Sequence, residues 1–217
     1  MARFLSLVVI LLAVCGCEEI DTRKPYPLPR PAAESPVCNL PAAFHQRNKL
    51  GRLGQGSCVH ASLVNHLRWL NQFELAQRWW AQYGDGETAS GIRRKLDAAG
   101  LGSKYYFTEK ADPRFLDWCT INRVGAILWW KPSHCCTFMG FSNGADILAY
   151  NPQATADGQR LEPSRQYACI LDNNYPGRFE YTERAQFVRL WAGYGGFALA
   201  VLDNPTPSIP FPLYELR

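Results

Sequence analysis

The chain has 217 residues, of which 47% are hydrophobic and 13% aromatic, and this content excludes an intrinsically disordered protein. Its formal net charge is only +4 and its lysines and arginines form no run, which argues against a nucleic-acid partner. A chain of this length is predicted to form one folded domain with appendages.

The first residues have the pattern of an export signal. Arg3 precedes the apolar run FLSLVVILLAV, which is shorter than the roughly 20 residues that a helix needs to cross a bilayer. The following Val14-Cys15-Gly16-Cys17 resembles the lipobox of bacterial lipoproteins, with Cys15 where a small residue is usual. The resemblance implies that residues 1–16 are a signal peptide and that Cys17 is acylated. The protein is then expected on a membrane of the bacterial cell envelope, with plain secretion as the alternative.

Prolines dominate the next stretch of the chain. Between Glu18 and Pro41 they recur with almost no apolar periodicity, which is typical of an extended, semi-rigid spacer. We therefore expect the lipidated cysteine and spacer over residues 17–41, the folded domain over residues 42–204, and a proline-rich tail over residues 205–217.

Helical patterns begin the predicted domain. Apolar residues at helical spacing predict a helix from about Ser57 to Trp80, broken near Asn71, with Ser57 as its N-cap. The segment ETASGIRRKLDAAG predicts a second helix that ends at Gly100. A short third helix is predicted over DPRFLDWC, where Asp112 caps the first turn.

Strand patterns dominate the second half. The segments VGAILWW, HCCTFMGF, ADILAYN and QYACILD are short, rich in β-branched or aromatic residues, and bounded by turn residues. A helix capped by Thr182 is predicted over TERAQFVRLW, and GGFALAVL predicts a final strand. This order of elements predicts an α+β fold.

Cys58 is the first candidate for chemistry. An exported protein meets an oxidising compartment, so the default interpretation of the six domain cysteines is three disulfides. Cys58 differs because it opens a predicted helix, where the helix dipole and free backbone N–H groups lower the pKa of a thiol. Gly54 and Gly56 allow the preceding backbone to turn tightly and leave the sulfur accessible. The six cysteines are Cys38, Cys58, Cys119, Cys135, Cys136 and Cys169.

His134 is the preferred base among the four histidines. It opens a predicted strand directly after a turn, at a sheet edge that can face the N-terminus of a packed helix. A zinc site at His134 and Cys135 is not favoured, because consecutive strand residues point to opposite faces and the chain has no C-x-x-C pair. No metal or cofactor is predicted.

Three short windows, GQGSCVHAS, SHCCTFMGF and ILDNNYPG, resemble the papain-like cysteine peptidases in their chain order. The spacing from Cys58 to His134 is more like the compact bacterial branch that includes the bacteriocin-leader-processing peptidases. Papain's own signature around the nucleophile is missing, since Ser57 precedes and Val59 follows Cys58. The resemblance implies N-terminal helices packed on a small, mostly antiparallel sheet. It also implies hydrolysis of a peptide or protein substrate through Cys58 and His134.

The same resemblance suggests the remaining site residues. When ACILDNNYPG is laid on the papain strand, Asn173 falls on the residue that orients the imidazole, while Asp172 is the alternative because compact relatives often use aspartate. Only one of these neighbours can face the imidazole, and Asn151 is an outside candidate. The backbone N–H of Cys58 and the side chain of Gln55 are the expected oxyanion donors.

Two other functions stay open at this point. One is a different acyl transfer on the same scaffold, either transglutaminase-like or directed at cell-wall peptides. The other is a non-catalytic envelope-binding lipoprotein in which Cys58 is held in a disulfide.

Overall fold

The computed structural model describes residues 37–49 and 56–202, together with the backbone of residues 215–216. These residues form six α-helices, one short 3-10 helix and nine strands, which confirms the α+β class. The helices are α1 Cys58–Trp69, α2 Phe73–Gln82, α3 Ala89–Ala98, α4 Pro113–Ile121, α5 Gly144–Tyr150 and α6 Arg184–Gly193, with the 3-10 helix at Ala42–Phe44.

The strands are β1 Tyr105–Thr108, β2 Ala126–Trp129, β3 Cys135–Asn143, β4 Thr155–Ala156, β5 Gln159–Arg160, β6 Gln166–Leu171, β7 Glu180–Glu183, β8 Ala198–Val201 and β9 Glu215–Leu216. Seven of them form one antiparallel sheet in the order β7-β6-β3-β2-β8-β1-β9, and β4 pairs with β5 separately. Because β3 and β6 are antiparallel, the start of β3 and the end of β6 lie at the same end of the sheet.

Helices cover both faces of this sheet. Side chains alternate along each strand, so Ile127 of β2 packs in the cluster that contains α1, α2 and α3, while Leu128 packs in the cluster that contains α4 and α6. Both clusters are built from fully buried aliphatic and aromatic side chains, which fix α1 against the centre of the sheet.

Three details of the predicted helices are confirmed. The break between α1 and α2 is at Asn71, which has a φ of 61°. Gly100, with a φ of 75°, ends α3. The carboxylate of Asp112 accepts the backbone N–H of Arg114 at 3.0 Å, and Pro113 is the first residue of α4.

The strand predicted over ADILAYN is wrong, because residues 144–150 form helix α5. Gly144 and Ile147 are its buried residues and are three apart, which is helical spacing. The Gly144 backbone also lies so close to the carbonyl oxygen of Glu162 that a side chain would collide with it. A short apolar segment of this kind does not distinguish helix from strand by its pattern alone.

Two predicted caps are also wrong. Thr182 lies in β7, and α6 begins two residues later with Glu183 as N-cap, whose carboxylate accepts the N–H of Gln186 at 3.3 Å. Ser57 does precede α1, but its hydroxyl donates to Asn48 Oδ1 at 3.1 Å and makes no capping hydrogen bond. Strands β1 and β7 were not predicted at all.

The packed domain starts before Ala42. Val37, Cys38 and Leu40 are buried in a cluster with side chains of β3 and β6, although they belong to the predicted spacer. At the other end of the chain, β9 pairs with β1 within the predicted tail.

Several predicted features lie outside the described residues. They are the signal peptide over residues 1–16, Cys17, most of the spacer, and Gln55. Among the helices that are described, none has the length and apolar character needed to cross a bilayer.

Candidate active site

Cys58 is the first residue of α1 and lies at the wall of an open cleft. Its side chain is buried in the cluster under α1 but reaches the cleft, with 8% of the residue exposed. Since the first helical turn has backbone N–H groups without intrahelical partners, the Cys58 sulfur lies at the positive end of the α1 dipole.

His134 is placed by the tight connection between β2 and β3. Lys131 and Ser133 in this connection have φ values of 66° and 56°, and Trp130 donates its N–H to the carbonyl oxygen of His134 at 2.9 Å. The turn therefore presents the imidazole at the end of the sheet, where it forms a hydrogen bond with the thiol of Cys58.

Asp172 follows the last residue of β6 and completes the row of side chains. Its Oδ1 accepts from Nε2 of His134 at 2.8 Å and from the backbone N–H of Asn174 at 2.9 Å, and its Oδ2 accepts from Nζ of Lys131 at 3.1 Å. Because Nε2 is bonded to the carboxylate, Nδ1 is the ring nitrogen left for Cys58. The row runs thiol, imidazole, carboxylate.

The electrostatics of these three groups are coupled. Burial raises the pKa of the Cys58 thiol, but the hydrogen bond and charge of His134 outweigh it and bring the pKa below its ordinary value. Burial lowers the pKa of His134, yet the hydrogen bonds to Asp172 and Cys58 raise it to about 9. Burial likewise opposes ionisation of Asp172, but its hydrogen bonds hold its pKa well below the usual range. The arrangement favours an imidazolium between two anions.

The structure corrects the preferred assignment of the third residue, because Asn173 does not face His134. Its amide nitrogen lies 2.8 Å from the carbonyl oxygen of Cys135, 2.8 Å from Oγ of Ser62 and 3.1 Å from the carbonyl oxygen of Cys58. As strand geometry requires, its neighbour Asp172 points the other way and contacts the imidazole.

Asn173 belongs to a buried polar group that sequence analysis missed. Ser62 Oγ donates to the carbonyl oxygen of Cys135 at 3.0 Å, and Thr137 Oγ1 donates to the carbonyl oxygen of Ser62 at 2.9 Å. With Asn173, these hydroxyls tie the start of α1 to the start of β3, which are the elements that carry Cys58 and His134. Ser62 follows Cys58 by four residues, so helical spacing was the signal that could have placed it beside the nucleophile.

The remaining candidates lie elsewhere. Asn151 directly follows α5, and its side-chain oxygen accepts the N–H of Gln153 at 3.2 Å. Gln55 is outside the described residues, so of the two expected oxyanion donors only the N–H of Cys58 has a described position.

The cleft beside Cys58 and His134 has a volume of about 980 Å³. Trp129 forms part of its wall, whereas Trp130 points to the opposite face of the sheet and packs on Phe187. The other walls come from the start of α3 and from the end of α6. The cleft therefore combines an apolar surface with access to the thiol.

One group of possible metal ligands occurs among the described residues. Ligand atoms of His134, Cys136 and Asp172 all lie within 4.8 Å of one another. The sequence argument against zinc applied to His134 and Cys135, which are consecutive. His134 and Cys136 are two residues apart, so their side chains share a face. The carboxylate already holds the imidazole and Lys131, and burial raises the pKa of the Cys136 thiol well above its usual value. These contacts favour a charged His–Asp pair over a metal centre.

No known protein family, curated protein or solved structure matches the chain. The function is therefore inferred from the side chains of the site.

Proposed function

We propose that the chain is a papain-like cysteine peptidase that hydrolyses peptide bonds in peptides or proteins. The observation that carries this proposal is the row Cys58, His134 and Asp172 at the wall of an open cleft. A nucleophile, a base that contacts it, and a group that orients the base are the three parts that acyl-transfer sites share.

The first half of the reaction uses the ion pair. The Cys58 thiolate attacks the carbonyl carbon of the scissile peptide bond, and the carbonyl oxygen takes the negative charge. In this mechanism the backbone N–H of Cys58, at the first position of α1, donates to the oxyanion. The imidazolium of His134 then gives its proton to the leaving amine as the C–N bond breaks, which leaves a thioester on Cys58.

The second half reverses the roles. Neutral His134 removes a proton from water, the hydroxide attacks the thioester carbonyl, and the C–S bond breaks to regenerate the Cys58 thiolate. The contact with Asp172 holds the ring orientation through both halves and stabilises the imidazolium when it forms.

The cleft fits an extended peptide. Its volume of about 980 Å³ is at the upper end of the usual range for ligand pockets, and the side chains of Val59, Ala89 and Trp129 provide apolar contacts near the thiol. The lipobox resemblance of residues 14–17 also suggests where the enzyme acts. A lipid on Cys17 would hold the peptidase on a membrane of the bacterial cell envelope.

Selective alkylation tests the nucleophile. We expect iodoacetamide near neutral pH to modify Cys58 faster than any other cysteine of the domain. Burial raises the pKa of four of the other thiols well above normal, and the fifth, Cys38, has no exposed surface. Cys119→Ala, a buried change away from the cleft, is the control and should keep the reaction. Native protein in which Cys58 stays unlabelled contradicts the proposal and supports a binding lipoprotein.

Cleavage of a peptide library tests the reaction. The wild-type chain should cleave a subset of peptides and Cys58→Ala none. Adding an amine acceptor separates hydrolysis from acyl transfer, since a transferase converts the thioester mainly to the new amide. Failure to cleave any peptide while transferring acyl groups would replace the peptidase by the transferase.

A further inference from the structure

Two cysteines that do not line the cleft contact each other. Cys38 and Cys169 are both fully buried, and their thiols are hydrogen-bonded to each other. One belongs to the segment that precedes the first helix and the other to β6, so the contact joins distant parts of the chain.

The neighbours of Cys38 fix its position over the sheet. The side chain of Val37 lies against Gly140 of β3, and Gly140 is the residue paired with Cys169 in β6. On the other side, Asn39 accepts the indole N–H of Trp69 at 2.9 Å. The residues before and after Cys38 are thus held independently of the sulfur, and they place it directly beside Cys169.

The other cysteines of the domain are arranged differently. Cys135 and Cys136 point to opposite faces of β3, and Cys119 is buried in the cluster under α4 and α6. Cys58 has the His134 imidazole as its partner. Cys38 and Cys169 instead have each other as side-chain partners.

We propose that Cys38 and Cys169 form a disulfide in the exported protein. In the reaction, a thiolate attacks the disulfide of an external oxidant, either a thiol oxidoreductase or oxidised glutathione, and releases one of its thiols. The second cysteine then attacks the mixed disulfide, so that two protons and two electrons leave the protein and the oxidant becomes two thiols.

The burial of the two sulfurs sets the order of events. In the folded chain Cys38 and Cys169 have no exposed surface, so an external oxidant cannot reach either thiol. Since both sulfurs are buried in the folded chain, the exchange takes place before residues 37–49 dock on the sheet.

The cross-link joins the end of the spacer to the active-site strand. Cys169 precedes Asp172 by three residues on β6 and its following turn. Further along the docked segment, Asn48 donates its N–H to the carbonyl oxygen of Asn173 at 2.8 Å. The disulfide therefore secures a segment that borders the site, and it connects the anchor to the domain covalently at a second point.

Peptide mapping tests the pairing. Trypsin leaves Cys38 in the peptide of residues 24–47 and Cys169 in that of residues 166–178, each with one cysteine. In protein recovered from the oxidising side of the membrane, and in reduced protein incubated with a glutathione redox buffer, we expect these peptides joined and two hydrogens lighter. If both thiols are alkylated in unfolded, unreduced protein from either source, the disulfide does not exist.

Unfolding tests the consequence in a Cys58→Ala background, so that the result does not depend on the peptidase. Cys38→Ala, Cys169→Ala and the double variant should have closely similar Tm values, all below that of the oxidised parent. Dithiothreitol should lower the Tm of the parent and of the Cys119→Ala control but not those of the three variants. A parent that is insensitive to dithiothreitol, or variants whose Tm losses add, contradicts the proposal.

Discussion

Two neighbouring side chains at the end of β6 serve the site in different ways. Asp172 contacts the imidazole of His134, and Asn173 is buried between the first residues of α1 and β3. The first contact acts on the charge of the base, whereas the second acts on the position of the elements that carry the reacting groups.

Substitutions should separate these two roles. Asp172→Asn removes the charge that stabilises the imidazolium, and we expect kcat/KM to fall by about 10⁴-fold, as in template triads, with little change in Tm. Asn173→Ala removes the hydrogen bonds that its amide nitrogen makes to Cys58, Ser62 and Cys135, so we expect a loss of about 2 kcal/mol in the free energy of unfolding. Steady-state kinetics and urea unfolding measure the two effects.

Asn174→Ala is the matched control, because this exposed neighbour shares the turn. Its amide lies 3.3 Å from Nε2 of His134, but Asp172 still holds the ring. We expect a small effect on both quantities. A larger kinetic loss for Asn173→Ala than for Asp172→Asn would return the orienting role to the asparagine.

The pH dependence of kcat/KM follows from the raised pKa of His134. The active form needs the imidazolium, which is lost as pH rises through about 9, so the alkaline limb should lie near that value. The imidazolium–carboxylate contact also adds to the free energy of unfolding. This contribution is complete below about pH 6.5, the ordinary pKa of histidine, and is lost as the pH rises from there through about 9. Asp172→Asn should move the alkaline limb to lower pH. An unmoved limb would mean that another group sets it.

At the scale of the elements, Gly125 determines how closely α1 approaches the sheet. It precedes β2 with a φ of 62°, and a Cβ there would lie 2.8 Å from the carbonyl oxygen of Phe138 and 3.0 Å from the Trp69 ring. Gly100 has a φ of 75° with open space around it. The two glycines differ in packing but not in backbone conformation.

This pair predicts a graded effect of alanine. Gly100→Ala should cost about 1 kcal/mol of unfolding free energy, the usual penalty of a left-handed conformation. Gly125→Ala should cost a further ~1–3 kcal/mol because the added methyl group must displace Trp69 or the β3 backbone. Urea unfolding of both variants measures the difference, and equal losses would show that α1 moves aside freely.

Local chemistry made several elements predictable. Asp112 before Pro113 and the glycine after α3 marked helix ends, because capping depends on adjacent residues. The segment over residues 144–150 was misassigned since its buried and exposed positions are set by the sheet beneath it. Strand β1 was missed for a related reason, as its pairing with β8 joins residues that are distant in the chain.

The site was predictable to a similar degree. Cys58 opens a helix and His134 follows a turn. Both are local features, so the sequence alone indicated these residues as the nucleophile and the base. The choice between Asp172 and Asn173 depended on which face the end of β6 presents, and that face is set by the register with β3. Ser62 and Thr137 act only through contacts across elements, so no local pattern marked them.

At the scale of the whole molecule, the anchor is the remaining prediction. The mature chain should begin at an acylated Cys17 and sediment with membranes, because two acyl chains suffice for stable attachment. Cys17→Ser should appear in the soluble fraction with its cleft intact, and mass spectrometry of the N-terminal peptide checks the processing. A mature chain that retains residues 1–16 would contradict the lipoprotein assignment.

The reacting groups are carried by separate elements that meet at one end of the sheet. The nucleophile lies on α1, whereas the base and its carboxylate lie on the turn before β3 and at the end of β6. A small slide of α1 along β3 would therefore uncouple the sulfur and leave the His134–Asp172 hydrogen bond unchanged. An idle form of this protein would keep the spectroscopic signature of an oriented histidine and lose only the ultraviolet absorbance of the thiolate.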